Sequence, residues 1–400
     1  VKMMKNQKAR AALVFLLCFL LQGGTLGILS NCRGIFNGPV CAELGFPLGR
    51  FTSYSVFYGI AVCAGIPLAA RWVYRKNLRL TLTVAAVAVA GAEYAMSGFT
   101  AVWQWYLAAT VQGVCYAFLV VLTVPMLIGN WFAGSKGTFL GLSSISAGLI
   151  GAVMNSAGGG IIARYGWRAG YRFLGGALFV LLVPACLLFS WRSPEGEAAN
   201  TPPPTRSQGL WRQPGFYLIS LFAWILCCTV GYNQMLADIA AGFGYDGTQA
   251  AGYVSVALVG TILFKVLIGR LIDRRGIRTA CWCAVTAIGA GFVLLRLGAN
   301  AAALWAGSLL MGMPMAVSVV LVQAMARGIY GERAFSGVYP AISVSINLAT
   351  NFGFSIIGWI VSVGGSATAA IDAGLMATAA AAALAALLFS GQKKEETSCE

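Results

Sequence analysis

Turn residues and charges divide this chain of 400 residues into about twelve predominantly apolar segments, each close to the length a helix needs to cross a bilayer. In lipid the backbone polar groups must bond within the segment, so such stretches fold as helices. The pattern predicts helices in the first half over roughly Ala11 to Phe36, Ser53 to Arg71, Leu80 to Ser97, Val102 to Ile128, Gly137 to Ile161 and Gly170 to Trp191. In the second half it predicts roughly Phe216 to Ala241, Gly247 to Ile268, Thr279 to Leu297, Ala301 to Met325, Phe335 to Val361 and Ala367 to Phe389. Composition sets the same limit, because 59% hydrophobic and 10% charged residues cannot form one soluble core.

Between the halves, residues 192–214 carry Glu195, Glu197 and Pro202-Pro203-Pro204, a polar, proline-rich stretch that reads as an exposed linker. This predicts an N-terminal six-helix half over 1–191 and a C-terminal six-helix half over 215–400. If both termini and the linker are cytoplasmic, 20 of the 27 basic residues fall inside, among them Lys8, Arg10, Lys136, Arg206, Arg327 and Lys394. The net charge of +15 is thereby explained by membrane orientation, and nucleic acid is not expected as a partner. The basic start followed by a long apolar run reads as a retained first helix, since no small-residue cleavage site closes it.

Gly269-Arg-Leu-Ile-Asp273-Arg274-Arg-Gly276-Ile-Arg278 lies between two apolar segments, and a weaker copy, Ala70-Arg71-Trp-Val-Tyr74-Arg75-Lys-Asn77-Leu-Arg79, lies in the first half. Arg71, Arg75 and Arg79 stand 199 positions before Arg270, Arg274 and Arg278, so the halves are related. The later copy fills every fixed position of the G-x-L-x-D-R-x-G-x-R signature, and on it the chain resembles the major facilitator superfamily of transporters. That resemblance implies an all-α membrane protein with twelve transmembrane helices in two pseudo-symmetric halves, and cavity-lining helices 1, 4, 7 and 10 with 2, 5, 8 and 11 beside them. Gly269, Asp273, Arg274, Gly276 and Arg278, with Arg71, Arg75 and Arg79, are expected to act as conformational latches. Trp131-Phe132, Lys136-Gly137, Gly141 and Tyr165-Gly166-Trp167-Arg168 resemble the monocarboxylate and oxalate/formate branch. Gly151-Ala-Val-Met-Asn155-Ser156-Ala-Gly158-Gly159-Gly160 is similar to a glycine-rich motif of exchangers, and its small residues predict close helix packing at a moving interface.

Enzyme chemistry is opposed by the absence of histidine, which removes the usual zinc sites, the Ser-His-Asp triad and the commonest proton shuttle. The run Gly129 to Gly137 breaks the order a phosphate-binding loop requires, and no cofactor or metal is expected. Most of the eleven cysteines fall inside predicted helices as small packing residues; only Cys32 and Cys41 approach the outer face together.

Charges inside the bilayer are costly unless they meet water, a partner or a substrate. Lys265 lies four residues before Gly269 in an otherwise apolar stretch. Monocarboxylate transporters carry a helix-8 arginine at that position, which implies a carboxylate partner for Lys265; snorkelling to the inner face is the competing reading. Lysine offers a point charge in place of a bidentate fork. Arg33, near the expected outer end of helix 1, reads as a substrate cation or an outer-face anchor. Asp238, at comparable depth in helix 7, is expected to close an outer gate with Arg33 or to be an unrelated interfacial charge.

Uncharged polar residues expected to line the substrate path are Gln22, Tyr58, Gln112, Tyr116, Tyr232, Asn233, Gln234, Asn347 and Asn351, each equally readable as a helix-helix hydrogen bond. Helix 11 has no cation, so one charge fits a monocarboxylate better than a dicarboxylate. Glu93 and Asp372 read as outer helix ends, which leaves Asp238 as the carboxylate for proton coupling; anion exchange needs none. The expected activity is alternating-access transport of a small organic anion, by proton symport or anion exchange, with a monomer in the cell membrane. The competing readings are efflux of an amphipathic or drug-like compound and a transporter-like receptor without turnover.

Overall fold

The computed structural model describes residues 2–75, 77–132, 136–189, 214–298, 300–364 and 366–396, and their side chains except 2–6, 70–71, 74–75, 136–138, 214–215, 331–340 and 390–396. Among these residues the regular structure is helical throughout. The membrane-crossing lengths are α1 (Gln7–Leu44), α2 (Leu48–Ala69), α3 (Leu78–Gly98), α4 (Val102–Trp131), α5 (Phe139–Tyr165), α6 (Trp167–Phe189) and α7 (Phe216–Gly242). Gly247–Arg296 follows as one length. Gly276, at φ 81° and ψ 169°, breaks it into α8 (247–275) and α9 (277–296). Then come α10 (Ala301–Tyr330), α11 (Ala341–Gly364) and α12 (Ala367–Phe389). The signature glycine therefore makes the turn between two spans, in a conformation that side-chain-bearing residues rarely adopt.

Two compact units result: residues 1–201 with 247–255, and residues 202–246 with 256–400. The proposed linker, 192–214, lies outside the described residues except for the helical backbone at Pro214.

Breaks in mid-span fall on α1, α4, α7 and α10, every third helix. Gly23–Ser30 of α1, Ala117–Val121 of α4 and Val317–Leu321 of α10 form π-helical turns, and Thr229–Gly231 of α7 tightens to 3₁₀. Local sequence accounts for each. Gly23 and Gly24 loosen α1 beside Thr25, whose hydroxyl donates to Leu21 O at 2.6 Å. Pro125 cannot donate the bond due to Val121 in α4, and Thr123 donates to Phe118 O at 2.5 Å instead. Gly231 and the Thr229 hydroxyl, which donates to Leu226 O at 2.6 Å, do the same in α7. Gly312 and Pro314 precede the break in α10. π-turns widen the helix and concentrate at functional positions. These are the four helices that the signature implies line the substrate path.

α1 departs from its expected end at Phe36. The chain stays helical through Pro39 to Leu44 and stops at Gly45, whose φ of 68° caps it. Pro39 lies inside this stretch without ending it.

Candidate functional site

In the first unit the longer α1 carries Arg33 inside the bundle. Arg33 is 6% exposed, with its guanidinium carbon 4.1 Å from the Tyr58 ring centroid and 5.5 Å from that of Tyr54. Of the two readings, substrate cation or outer-face anchor, burial disfavours the anchor: helical backbone continues for eleven more residues beyond Arg33, about 16 Å. A cation over two aromatic faces is attracted by their π density while remaining able to take an anion. Tyr116 joins the wall, its ring 5.9 Å from that of Tyr58.

Glu93 also moves inward from its expected outer helix end. It is 6% exposed, and its Oε2 accepts a 2.8 Å hydrogen bond from Gln112 Nε2. The predicted lining residue Gln112 is therefore committed to a buried carboxylate. Arg33 is the charged group acting on Glu93 among the described residues. An aromatic cluster is buried in the same unit: Tyr171 stacks on Phe36 at 3.8 Å and accepts from Trp105 Nε1 at 3.2 Å, while Trp105 meets Phe51, Phe99 and Trp167.

Asn31 Nδ2 donates to Ala147 O at 3.2 Å and Asn155 Nδ2 donates to Asn31 O at 2.9 Å, which locks α1 to α5. The amide oxygens of Gln22 and Asn155 are buried without a hydrogen-bond partner among the described residues. Asn155 stood in the exchanger-like motif without a site role; its fully buried amide makes it a candidate. The motif's glycines divide by position. Gly151 meets Gly27 backbone to backbone within this unit, so this end of the motif serves static packing, whereas Gly159 faces Ala251. Cys32 and Cys41 are not joined by a disulfide, and Cys32 Sγ turns inward toward Gly27 O and Gly151 O.

The second unit holds amides. Asn233 and Gln234 are buried on α7, and their side-chain oxygens have no partner among the described residues. Tyr232 donates to Ala370 O and sets its ring against Phe292, so its donor is spent on α12 and not on a lining surface. Asn351 Nδ2 donates to the backbone Asn347 O at 2.8 Å and to the side-chain Asn347 Oδ1 at 3.2 Å, the second of which pairs the two α11 amides. Asp238 is half-buried on α7. Lys265 is half-buried on α8 and makes no hydrogen bond or ion pair among the described residues. Asp372 is exposed at its helix end and bonds Arg296 Nε at 3.2 Å.

Of the signature, Gly269 has open space where a Cβ would point, and Asp273, Arg274 and Arg278 are exposed. Arg79 is exposed as well, whereas the side chains of Arg71 and Arg75 lie outside the described residues. The Tyr165-Gly166-Trp167-Arg168 motif proves to be a clamp. Gly166 turns the chain at φ 82°, Trp167 Nε1 donates to Glu43 Oε2 at 2.6 Å, and Arg168 pairs with Glu43 Oε1. No group of three or more potential metal ligands occurs among the described residues.

The family model described as Major Facilitator Superfamily matches residues 11–259 and 229–398. Among solved structures, the nucleoside transporter NupG superposes with a TM-score of 0.72 at 15% identity, over 96% of this chain and 98% of its own. A bacterial homologue of the human lysosomal transporter Spinster, inward-facing and occupied, gives 0.73 at 15% identity, over 96% and 97%. No curated protein matches the sequence.

Proposed function

This chain belongs to the major facilitator superfamily, and from that premise we propose that it moves a small organic anion, of the monocarboxylate class, across the membrane by alternating access. One observation carries the reading: the cationic side chains of Arg33 and Lys265 sit inside membrane-crossing helices, the first buried among aromatic rings and the second without an ion-pair partner among the described residues. A cation held in a bilayer interior costs several kcal/mol unless an anion or water meets it. Glu93 offsets Arg33 within the first unit, which leaves Lys265 as one positive charge and favours a singly charged cargo. We assign substrate contact to Arg33, Lys265, Tyr58, Tyr116, Gln22, Asn233 and Gln234, and the latch to Asp273, Arg274 and Arg278.

A second reading, a neutral polar solute such as the nucleosides named for NupG, is favoured by the buried amide oxygens of Gln22, Asn233 and Gln234, which would accept from hydroxyls. Counterflow in proteoliposomes with labelled lactate, pyruvate, formate, oxalate, uridine and a cationic dye separates these. Movement of the monocarboxylates supports the proposal. Movement of uridine or the dye alone would replace it.

A further inference from the structure

Glu93 has no place in a transport scheme read from sequence, where it looks like a helix end. Its surroundings are those of a working group. It projects from α3 into the interior of the first unit, on the side where Gln112 of α4 donates to one of its oxygens and the charge of Arg33 on α1 acts on it. The other titratable groups coupled to it are Cys32 on α1 and Tyr171 on α6, both buried. Tyr54 and Tyr58 on α2 face Arg33 as rings. Apart from Arg33, no further cation acts on Glu93 among the described residues.

A bilayer interior favours states without net charge. Arg33 with an ionised Glu93 is such a state. Adding an anion to it creates one excess negative charge, and adding an anion together with one proton does not. The group that can take the proton within reach of the Arg33 charge is Glu93, buried and bonded to Gln112. Once neutral, it no longer draws on the Arg33 charge, which then acts on the anion, while Gln112 holds the carboxyl in place. An amide suits both states, because its NH₂ donates to the carboxylate and its carbonyl can accept from the carboxylic acid.

We propose that Glu93 is the proton-carrying residue of this transporter, with Arg33 exchanged between Glu93 and the substrate anion, and Gln112 positioning Glu93 through the cycle. The proposal rests on the organic-anion reading and adds its coupling. The carboxylate takes one proton from water on the side where the anion binds, forming one O–H bond. It returns that proton to water where the anion leaves, so each monoanion moves with one proton and no net charge.

The test uses the full chain in proteoliposomes, wild type beside Glu93→Gln and Glu93→Asp, with labelled pyruvate as the probe. An imposed pH gradient, alkaline inside, should drive electroneutral uptake with co-moving protons in the wild type. Glu93→Gln should lose that driven uptake by about tenfold or more, while pyruvate counterflow at equal pH falls far less, because a carboxamide imitates the protonated state. Glu93→Asp should recover part of the driven uptake. Unchanged driven uptake in Glu93→Gln overturns the assignment, and so does equal loss of both modes without recovery in Glu93→Asp, which marks a structural role.

A readout independent of cargo separates this proposal from the anion reading. In infrared difference spectra between low and high pH, a carboxylic-acid band should titrate in the wild type and vanish in Glu93→Gln. If the band behaves so while pyruvate, lactate and formate are all immobile, the proton site stands and the anion reading falls. A band unaffected by the substitution removes Glu93 as proton carrier.

Discussion

Gly27 of α1 and Gly151 of α5 meet backbone to backbone: a Cβ on Gly27 would lie 2.9 Å from Gly151 N and 3.0 Å from Ala147 O. Neither residue has a side chain to withdraw, so the crossing tolerates no larger pair. It brings Asn31 within reach of Ala147 and Asn155, and Arg33 follows two residues later.

Gly27→Val should therefore destabilise the first unit by about 1–3 kcal/mol, the usual cost of overpacking a close contact. The expected result is a lowered midpoint in thermal unfolding of the detergent-solubilised protein. Gly269→Ala, whose Cβ would enter open space, is the matched control with little change.

The clamp on Glu43 separates packing from charge. Trp167 is 2% exposed and touches Trp105 and Tyr171. Trp167→Ala should cost about 3–5 kcal/mol as a core truncation. Arg168→Ala removes a half-exposed ion pair and should shift the same unfolding midpoint only slightly.

Lys265→Ala should abolish anion uptake with folding retained, whereas Lys265→Arg should retain it, because charge and position are kept. Initial-rate uptake of labelled pyruvate by reconstituted protein, with monodispersity checked on a sizing column, gives the answer. Full uptake by Lys265→Ala would remove this residue from the site.

Asp273→Asn keeps the size of the signature carboxylate and removes its charge. Cycling should slow, visible as a lower maximal rate with little change in apparent affinity, since the residue is exposed beside the turn between α8 and α9. Unchanged turnover would make the signature a passive surface feature.

Sequence reads Arg33 and Asp238 either as an outer gate or as unrelated interfacial charges, while within the first unit the charge of Arg33 acts on Glu93. The assignments differ in outcome. A gate predicts that Asp238→Asn raises labelling of engineered outer-face cysteines by favouring the outward-open state. Proton carriage by Glu93 predicts no such bias from Asp238→Asn.

Residues differ in how plainly sequence announced them. The signature at Gly269 to Arg278 was legible because its glycine is needed for a backbone conformation, and Gly276 adopts it. Lys265 stood out because a lone cation in an apolar run has no bland surrounding to hide in. Glu93 did not, since a charge a few residues from a helix end looks alike whether it faces outward to water or inward to Gln112. Arg33 reads from sequence as close to a helix end expected at Phe36, whereas the helix continues through Pro39 to Leu44. Tyr232 and the pair Asn347/Asn351 read from sequence as lining residues or as helix-helix bonds, and within the second unit Tyr232 donates to Ala370 O and Asn351 to Asn347.

Sequence by itself determined the class of fold and the family, because hydropathy, segment length and a glycine-dependent loop depend on local chemistry along the chain. Tertiary structure decided which polar residues are partnered. Whether Arg33, Glu93 and Gln112 form one cluster depends on how α1, α3 and α4 are rotated against each other. That rotation is set by non-local contacts such as Gly27 on Gly151, where the absence of two side chains lets one helix come close enough to turn the other.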